Sequence, residues 1–373
     1  GDGMMVKAIV QRAAIAAVLL FTAACGQSDL SNLEGDSDTK PVPGIMVEGQ
    51  KIKIVGSSTV APFSRTIAER FGATTAFTTP IVESTGTGGG FKAFCEGVGP
   101  AQPSIANASR PIKESERELC TKGGVTAITE VPLGYDGIVV ANAKAGIDFD
   151  ITKRELYLAL AKDIPDGQGG FKPNPYTMWN EVNPALPAKP ILVLGPPPTS
   201  GTRDAFVELG MEKGALEIPE LAALKESDEE AFKARAHTVR TDDKWVDFGE
   251  NDTAIVQSLM KSPDAIGILG FSFLEQNGDR VKGGKLGGVE PTFENIAGNK
   301  YKGARRMYVY VKKAHVGVIP GLDKFAAEYV SEKALGDDGY LASKGLVTLP
   351  KDEFETVKTS GLAMTPMKGD ELK

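Results

Sequence analysis

The clearest indication of the fold is the stretch KIKIVGSSTVAPFSRTIAERF at residues 51–71. Its first five residues alternate polar and apolar side chains, which is typical of a β-strand. Apolar side chains then recur with helical spacing, and Pro62 suits the first turn of a helix. The glycine and hydroxyl residues between the two patterns therefore predict a strand-to-helix corner, with Ser58 or Thr59 as the N-cap.

The same order of strand, corner and helix continues along the chain. We predict strands at residues 51–55, 76–84, 104–107, 125–132, 137–141, 190–194, 265–271 and 307–311. We predict helices at residues 61–71, 91–96, 152–161, 202–209, 229–235, 252–261 and 322–335. Thr152 and Glu155 have the spacing of a capping box. This alternation predicts an α/β fold with mainly parallel sheets.

Composition and charge exclude several classes of protein. The chain has 373 residues, of which 41% are hydrophobic and 24% charged, so it can form sizeable cores in about two domains. With 42 basic and 49 acidic residues it has a net charge of -7, which argues against a nucleic-acid partner. Its only histidines are His237 and His315, which argues against a multi-histidine metal site or a histidine-rich catalytic centre. We predict no metal and no cofactor.

The N-terminus has the features of an export signal. Residues 1–24 combine basic residues with a short apolar run that ends in small residues, which is typical of a signal peptide. The run is too short to span a bilayer. The small residues before Cys25 resemble a bacterial lipoprotein cleavage box, in which Cys25 would be lipidated. Thr22 stands where an apolar residue is usual, so ordinary cleavage is the alternative. Residues 25–48 are expected to be a flexible tether.

Two further cysteines, Cys95 and Cys120, support export. An even pair in an oxidising compartment predicts one disulfide, closing a loop of about 25 residues. Two separate buried thiols are the alternative.

Three corners share one chemistry. They are Gly56-Ser57-Ser58-Thr59, Gly86-Thr87-Gly88-Gly89-Gly90 and Ser200-Gly201-Thr202. Each combines glycine with hydroxyl residues where a predicted strand leads into a helix, and helix N-termini favour anions. Arg110, within Asn107-Ala108-Ser109-Arg110-Pro111-Ile112, adds a guanidinium that can fork onto an oxyanion. Together they predict a metal-free site for a tetrahedral oxyanion.

These motifs, in this order and followed by residues 263–271, resemble the periplasmic phosphate-binding proteins of bacterial phosphate ABC transporters. The resemblance implies an α/β, two-lobed periplasmic-binding-protein fold of type II, with two chain crossovers at a hinge. Lobe 1 would comprise residues 49–140 and 265–350, and lobe 2 residues 141–264. Residues 351–373 would form a C-terminal extension.

The resemblance also implies which residues bind the phosphate. They are Ser58, Thr59 and the backbone of Val60 in the first corner, Thr87 and Gly88 in the second, Arg110, and Ser200, Gly201 and Thr202 in the third. Many members have an Asp at the position of Arg110, where it accepts the phosphate proton. Asp136 is our candidate to replace that Asp, with Glu250 and Asp252 as weaker ones. Prolines precede Ser200 where some members have an Arg, so we expect Arg110 to be the only cation of the site.

We therefore expect an exported solute-binding protein, not an enzyme, that captures inorganic phosphate and delivers it to a membrane ABC permease. It would act as a monomer in the periplasm or cell envelope, with a lipid on Cys25 as its only membrane attachment. One alternative is a receptor for another oxyanion, such as sulfate, molybdate or a phosphonate. Another is an exported phosphatase with a serine nucleophile from the first or third corner, for which the base would be His237 or His315.

Overall fold

A computed structural model describes residues 50–248 and 252–368 of the chain. The predicted signal peptide, Cys25 and the predicted tether lie outside the described residues. So do Glu250 and the side chain of Asp252. Within the described part of the chain, no helix is both long enough and apolar enough to cross a membrane.

Strands and helices alternate along the described chain. The strands are β1 (Lys53–Gly56), β2 (Ile81–Ser84), β3 (Ile105–Ala108), β4 (Ile128–Ala143), β5 (Asp150–Ile151), β6 (Asp163–Pro165), β7 (Phe171–Pro173), β8 (Val193–Gly195), β9 (Trp245–Asp247), β10 (Ile266–Gly270), β11 (Val281–Gly283), β12 (Lys285–Leu286) and β13 (Ala304–Lys312). The helices are α1 (Ala61–Thr74), α2 (Thr87–Phe94), α3 (Glu114–Lys122), α4 (Lys153–Leu160), α5 (Trp179–Val182), α6 (Gly201–Phe206), α7 (Glu212–Ala215), α8 (Pro219–Ser227), α9 (Glu229–Ala236), α10 (Asp252–Lys261), α11 (Phe271–Gln276), α12 (Phe293–Ala297), α13 (Leu322–Tyr329), α14 (Glu332–Leu335) and α15 (Lys351–Leu362). A π-helical turn, Val207–Met211, joins α6 to α7.

Three parallel strands form one end of the main sheet. Their order is β2-β1-β3, and β13 runs antiparallel between β3 and β4. Parallel strands have their carboxyl ends at the same edge of a sheet. The corners that follow β1, β2 and β3 therefore lie side by side.

The long strand β4 is shared by two groups of strands. Its residues 128–137 pair with β13, and residues 138–143 pair with β10 and β11. β8 runs parallel to β10, and β9 runs parallel to β8. We call β1, β2, β3, β13 and the first part of β4 the first strand group. The second strand group comprises β8, β9, β10, β11 and the last part of β4.

The two strands that we predicted at residues 125–132 and 137–141 are one strand, because β13 pairs along the segment between them. Gly134 lies in that segment with φ +139°, a backbone conformation that favours glycine. The register with β13 shifts close by, between Met307 and Tyr308. The glycine and the shift keep the chain running as a strand where the sequence pattern indicated a turn.

We expected the chain to return to the first lobe near residue 265. The pairing differs from that expectation, because Ile266 pairs with Val193 of β8 and Gly267 with Ala141 of β4. Pairing with the first strand group resumes only at β13.

The predicted helix starts have different outcomes. The N-cap of α1 is Val60, which makes no side-chain capping hydrogen bond, so the prediction of Ser58 or Thr59 at this position is wrong. Thr152 caps α4, since its Oγ1 accepts a hydrogen bond from the Glu155 N–H while the Glu155 carboxylate accepts one from the Thr152 N–H. α2 begins earlier than expected, at Thr87, with Gly86 as its N-cap. Gly88, Gly89 and Gly90, which we expected in the corner before the helix, form its first turn instead.

A small apolar cluster packs behind α2 and contains the predicted disulfide. Cys95 and Cys120 are bonded to each other and buried beside Phe91 and Phe94. Through α2 and α3, this bond ties the second corner to the segment that follows Arg110.

The predicted C-terminal extension begins with a helix that packs onto the body. α15 buries Phe354 and Val357. Beyond this helix, the Met367 N–H donates to the Ile128 carbonyl at the start of β4, 2.8 Å away. This region therefore contributes to the core of the first strand group.

Candidate functional site

The segments that follow β1, β2 and β3, at the carboxyl edge of the first strand group, open into one cavity of about 660 Å³. Ser57 and Ser58 of the first corner, Thr87 of the second, and Ser109 and Arg110 after β3 all line it. The predicted convergence of the first two corners with the Arg110 segment is therefore present in the structure. Ser109 is a lining residue that our sequence analysis did not single out, although it adjoins Arg110.

The first corner is built by close approach of the backbone. Gly56 has φ +129°, and a side chain there would lie 2.2 Å from the Asn107 carbonyl oxygen. The Ser57 N–H donates to that same oxygen at 2.9 Å. The chain then turns directly into the 14-residue helix α1, with Pro62 in its first turn. The first N–H groups of a helix have no partner within the helix and attract anions.

The three residues predicted from the first corner differ in their positions. Ser58 is half-buried and lines the cavity. Thr59 is buried, and its Oγ1 accepts a hydrogen bond from Arg305 Nη2. Val60 is buried, and its N–H lies 3.4 Å from Ser57 Oγ. Only Ser58 among them is a lining residue of the cavity.

A pair of hydroxyl groups connects the second corner to the segment after β3. Thr87 Oγ1 lies 3.2 Å from Ser109 Oγ and accepts a hydrogen bond from the Ser109 N–H at 3.3 Å. Gly86 and Gly88 line the cavity beside Thr87. The N-terminus of α2 therefore points its first turn at the cavity, held in place by Ser109.

The third corner lies at the edge of the site and does not line this cavity. Ser200 Oγ accepts a hydrogen bond from the Thr202 N–H at 3.2 Å and so acts as the N-cap of α6. A methyl group built on Gly201 would lie 4.0 Å from Pro62 Cγ, which places this corner beside the start of α1. The same helical run reaches the cavity further along, through Glu208 and Glu212.

Arg110 is not free to act as an isolated cation. Its Nη1 and Nη2 donate to Glu116 Oε2 and Oε1 at 2.8 and 2.7 Å. Burial works to raise the pKa of Glu116, but the hydrogen bonds from Arg110 and the Lys113 N–H outweigh it and lower that pKa. Glu116 therefore stays ionised and neutralises much of the charge of Arg110.

We expected Arg110 to be the only cation of the site, and the cavity shows this to be wrong, because a second arginine, Arg305, also lines it. Arg305 is 14% exposed and donates to Thr59 Oγ1 and Glu208 Oε2. It lies on β13, 246 residues from Thr59 in the chain, so no local motif connects it with the corner. The one available signal was a pair of arginines immediately before an apolar strand.

Asp136 is the register partner of Arg305 on β4, and its Oδ2 lies 3.8 Å from Arg305 Nε. Burial raises the pKa of Asp136 to about 6, while the charge of Arg305 opposes this shift and that of Glu208 adds to it. Asp136 Oδ2 and Arg305 Nε are among the buried atoms of the described chain that have no hydrogen-bond partner. Asp136 lies beside Arg305 and is not a lining residue of the cavity.

The cavity is richer in cations than the chain as a whole. Six lysine or arginine side chains line it against three glutamates: Arg110, Lys113, Lys213, Lys225, Lys233 and Arg305, against Glu208, Glu212 and Glu229. A chain with a net charge of -7 can therefore still present a surface that favours anions.

Among the described residues, neither histidine is hydrogen-bonded to a serine of the first or third corner. His237 lines the cavity, but its Nε2 is 2.7 Å from Glu212 Oε2, and this contact is the main cause of the lowered pKa of Glu212. His315 is buried beside Ser104, whose side chain is also buried. In the described part of the chain, no group of three or more His, Cys, Asp or Glu side chains could hold a metal ion.

A long strand shared by two strand groups, with strand-to-helix corners facing one cavity, defines the class as a binding protein of the periplasmic-binding-protein fold. The model of the PBP superfamily domain matches residues 35–333. The phosphate-binding protein PstS of Staphylococcus epidermidis is 31% identical over 336 residues, which cover 88% of this chain and 86% of that protein. The protein SphX of Synechococcus elongatus is 32% identical over 274 residues, covering 70% and 69%.

Solved structures agree with these sequence matches. The crystal structure of a possible phosphate binding protein from Planctomyces limnophilus has a TM-score of 0.65 and 27% identity, covering 87% of this chain and 99% of that one. The chain belongs to the PBP superfamily and, within it, to the family of the phosphate-binding protein PstS. The resemblance given by the corner motifs is thereby confirmed, as is the fold class.

Proposed function

We propose that this protein captures inorganic phosphate in the cavity between the two strand groups and delivers it to a membrane ABC permease. One observation carries the proposal: hydroxyl-bearing corners of the first strand group open into a single cavity with an excess of cations. Phosphate is a tetrahedral anion that accepts hydrogen bonds on every side, and such a cavity offers donors from several directions. The names of the curated relatives support the same ligand.

The first contacts would come from the residues that already line the cavity. Ser58, Thr87, the Gly88 N–H and Ser109 supply uncharged donors, and Arg110 supplies charge that it shares with Glu116. Uncharged donors in a cavity that excludes water hold an anion without requiring a large net positive charge.

The remaining predicted ligands would reach the anion when the two strand groups close around it. Val60 and the third corner, with Ser200, Gly201 and Thr202, lie at the start of α1 and of α6, and both helix N-termini lie beside the cavity. Closure around a ligand is the usual motion of two-lobed binding proteins. We propose the two strand groups as the cores of the two lobes, with β4 as a segment that both share.

Asp136 would provide discrimination between phosphate and sulfate. Phosphate carries a proton near neutral pH and sulfate carries none, so a carboxylate accepts a hydrogen bond from the first and repels the second. Asp136 Oδ2 lies beside Arg305 and has no hydrogen-bond partner among the described residues, so it would be available to a protonated anion held by Arg305 once the two strand groups close.

The site of action would be the periplasm or cell envelope, after export directed by residues 1–24. A lipid on Cys25 would tether a monomer to the membrane through residues 25–48. The disulfide between Cys95 and Cys120 supports an oxidising compartment.

Isothermal titration calorimetry of the full chain with inorganic phosphate tests the proposed function. We expect a Kd of about 1 µM or tighter, and sulfate binding at least about 100-fold weaker. A chromogenic phosphate ester should release no product, since within residues 50–248 and 252–368 the cavity histidine His237 is paired with Glu212 and not with a cavity serine. If the chain takes up no phosphate at millimolar concentration, the proposal is wrong. Tighter binding of sulfate than of phosphate would reassign the ligand.

A further inference from the structure

The guanidinium of Arg305 is a point at which the two strand groups meet beside the cavity. Its Nη2 donates to Thr59 Oγ1 in the first corner, and its Nη1 donates to Glu208 Oε2 in the helical run after β8. Asp136 Oδ2 lies 3.8 Å from Nε. Three segments that are far apart in sequence therefore hold one cation at the cavity wall.

Of these three neighbours, only Glu208 lies on the cavity side. Glu208 lines the cavity and is 38% exposed, whereas Thr59 is buried and Asp136 lies outside the lining. Thr59 and Asp136 can therefore keep Arg305 in place whatever the cavity contains. Glu208 occupies a donor of Arg305 that an anion in the cavity would use.

Glu208 and an anionic ligand cannot share Arg305 without cost. Both are negatively charged, both accept from guanidinium N–H groups, and like charges brought together in a partly dry cleft repel each other. An oxyanion that pairs with Arg305 must therefore displace the carboxylate of Glu208. Partial exposure leaves that carboxylate room to turn towards water.

We propose that Arg305 is the principal cation for the anion, and that Glu208 is its internal substitute, exchanged for the ligand upon binding. In the absence of ligand, the Glu208 carboxylate satisfies Arg305 and links the helical run after β8 to β13. The affinity for the anion then depends on the difference in free energy between Arg305 paired with the anion and Arg305 paired with Glu208. The inference rests on the proposed function, because it takes inorganic phosphate as the ligand.

Arg110 does not compete for this role. Both of its Nη atoms are bound to Glu116, and Glu116 also accepts the Lys113 N–H at the start of α3. Displacing Glu116 would break a helix cap as well as an ion pair, whereas displacing Glu208 breaks the ion pair alone. The ligand therefore exchanges with Glu208 more readily.

Calorimetric titration of full-length variants with inorganic phosphate tests the exchange. Glu208→Gln keeps the size of the side chain and removes the competing charge, so we expect the Kd to fall by about fivefold. Arg305→Gln should raise the Kd more than about 30-fold, and Arg305→Lys by less than Arg305→Gln. In the Arg305→Gln background, Glu208→Gln should change the Kd by less than about twofold. Thermal melts of each variant establish that it is folded.

Glu229→Gln is the matched control. It removes the same charge from the same cavity, but from an exposed pair with Lys233 on α9. We expect a change in Kd below about twofold. The inference is overturned if wild-type protein binds phosphate and Glu208→Gln fails to tighten it, or if Glu229→Gln tightens it equally. A wild-type chain that binds neither phosphate nor sulfate overturns the proposed function and this inference together.

Discussion

Asp136 and Arg305 lie directly opposite each other on the antiparallel strands β4 and β13, with Asp136 Oδ2 3.8 Å from Arg305 Nε. β4 belongs to both strand groups, so this pair places the cation of the site, which lies on β13, beside the strand that the two groups share. Both side chains are mostly buried, with 14% of Arg305 and 18% of Asp136 exposed, and Arg305 also contacts the first corner through Thr59. A substitution of Asp136 should therefore change both the free energy of unfolding and the binding of the anion.

Replacing Asp136 should alter how stability depends on pH. Its pKa is about 6 in the folded protein, against an ordinary 3.8, so the folded state binds more protons than the unfolded chain between these values. The contribution of Asp136 to stability therefore falls as pH rises from about 4 to 7. Asp136→Asn removes this loss, so the unfolding free energy of the variant relative to wild type should rise by about 2 kcal/mol from pH 4.5 to pH 7.5.

Urea unfolding at the two pH values measures this difference, and all other titrating groups cancel between the two proteins. A relative unfolding free energy that is independent of pH would show that the pKa of Asp136 is not raised. The same variant should narrow the preference for phosphate over sulfate in calorimetric titrations.

The ion pair between Arg110 and Glu116 should contribute to stability above acidic pH. The lowered pKa of Glu116 means that its contribution is present above about pH 4.5 and is lost as the pH falls through the folded-state pKa. Glu116→Gln should lower the unfolding free energy at pH 7 by about 1 kcal/mol. Glu114→Gln, two residues away in a more exposed i,i+3 pair with Arg117, should cost less than about 0.5 kcal/mol. Equal losses from the two variants in urea unfolding would contradict this prediction.

Arg110→Ala should weaken phosphate binding only modestly. Because Glu116 already occupies both Nη atoms, we expect the Kd to rise by about threefold, well below the effect of Arg305→Gln. Calorimetry of the two variants side by side decides which arginine contributes more. If Arg110→Ala weakens phosphate binding as much as Arg305→Gln or more, Arg110 is the more important arginine and the prediction is wrong.

The parts of the site that were predictable from sequence are those encoded locally. Corners are predictable at residues 56–59 and 86–90, because glycine, hydroxyl residues and a helical spacing of apolar residues follow one another within a few positions. Arg110 was found for the same reason. Its engagement by Glu116 was not, although the two lie only six residues apart, because the direction of a long side chain is set by packing.

Arg305 and Glu208 were not predictable by such reasoning. They are 97 residues apart in the chain, and each is unremarkable in its own segment. Register between β13 and β4 places Arg305 opposite Asp136, and the π-helical turn after α6 places Glu208 at the cavity. The order of strands in a sheet also depends on pairing between distant segments, which local sequence patterns do not encode. For this reason we expected residues 265–271 in the first lobe, whereas β10 pairs with β8 of the second strand group.

Removal of the disulfide should destabilise the second corner. Cys95 and Cys120 are separated by 25 residues, so cross-linking them removes about 3 kcal/mol of chain entropy from the unfolded state. The double variant Cys95→Ser with Cys120→Ser should lose about this much unfolding free energy in urea. Dithiothreitol should reproduce the loss in wild type and have no effect on the variant. A variant as stable as wild type would show that packing alone holds α2 and α3 together.

The close approach of α2 to β1 provides the last prediction. A methyl group at Gly90 would lie 2.4 Å from Gly56 Cα. This Cα is a backbone atom that cannot easily move, because Gly56 is paired within the sheet. Gly90→Ala should therefore push the N-terminus of α2 away from the first corner, cost more than about 2 kcal/mol of stability, and weaken phosphate binding more than tenfold. Gly89→Ala, the neighbouring position, meets no atom closer than 3.4 Å and should stabilise α2 by about 0.5 kcal/mol. Urea unfolding and calorimetry of the two variants measure both effects. Equal behaviour of the two alanines would mean that the spacing between the corners does not set the geometry of the site.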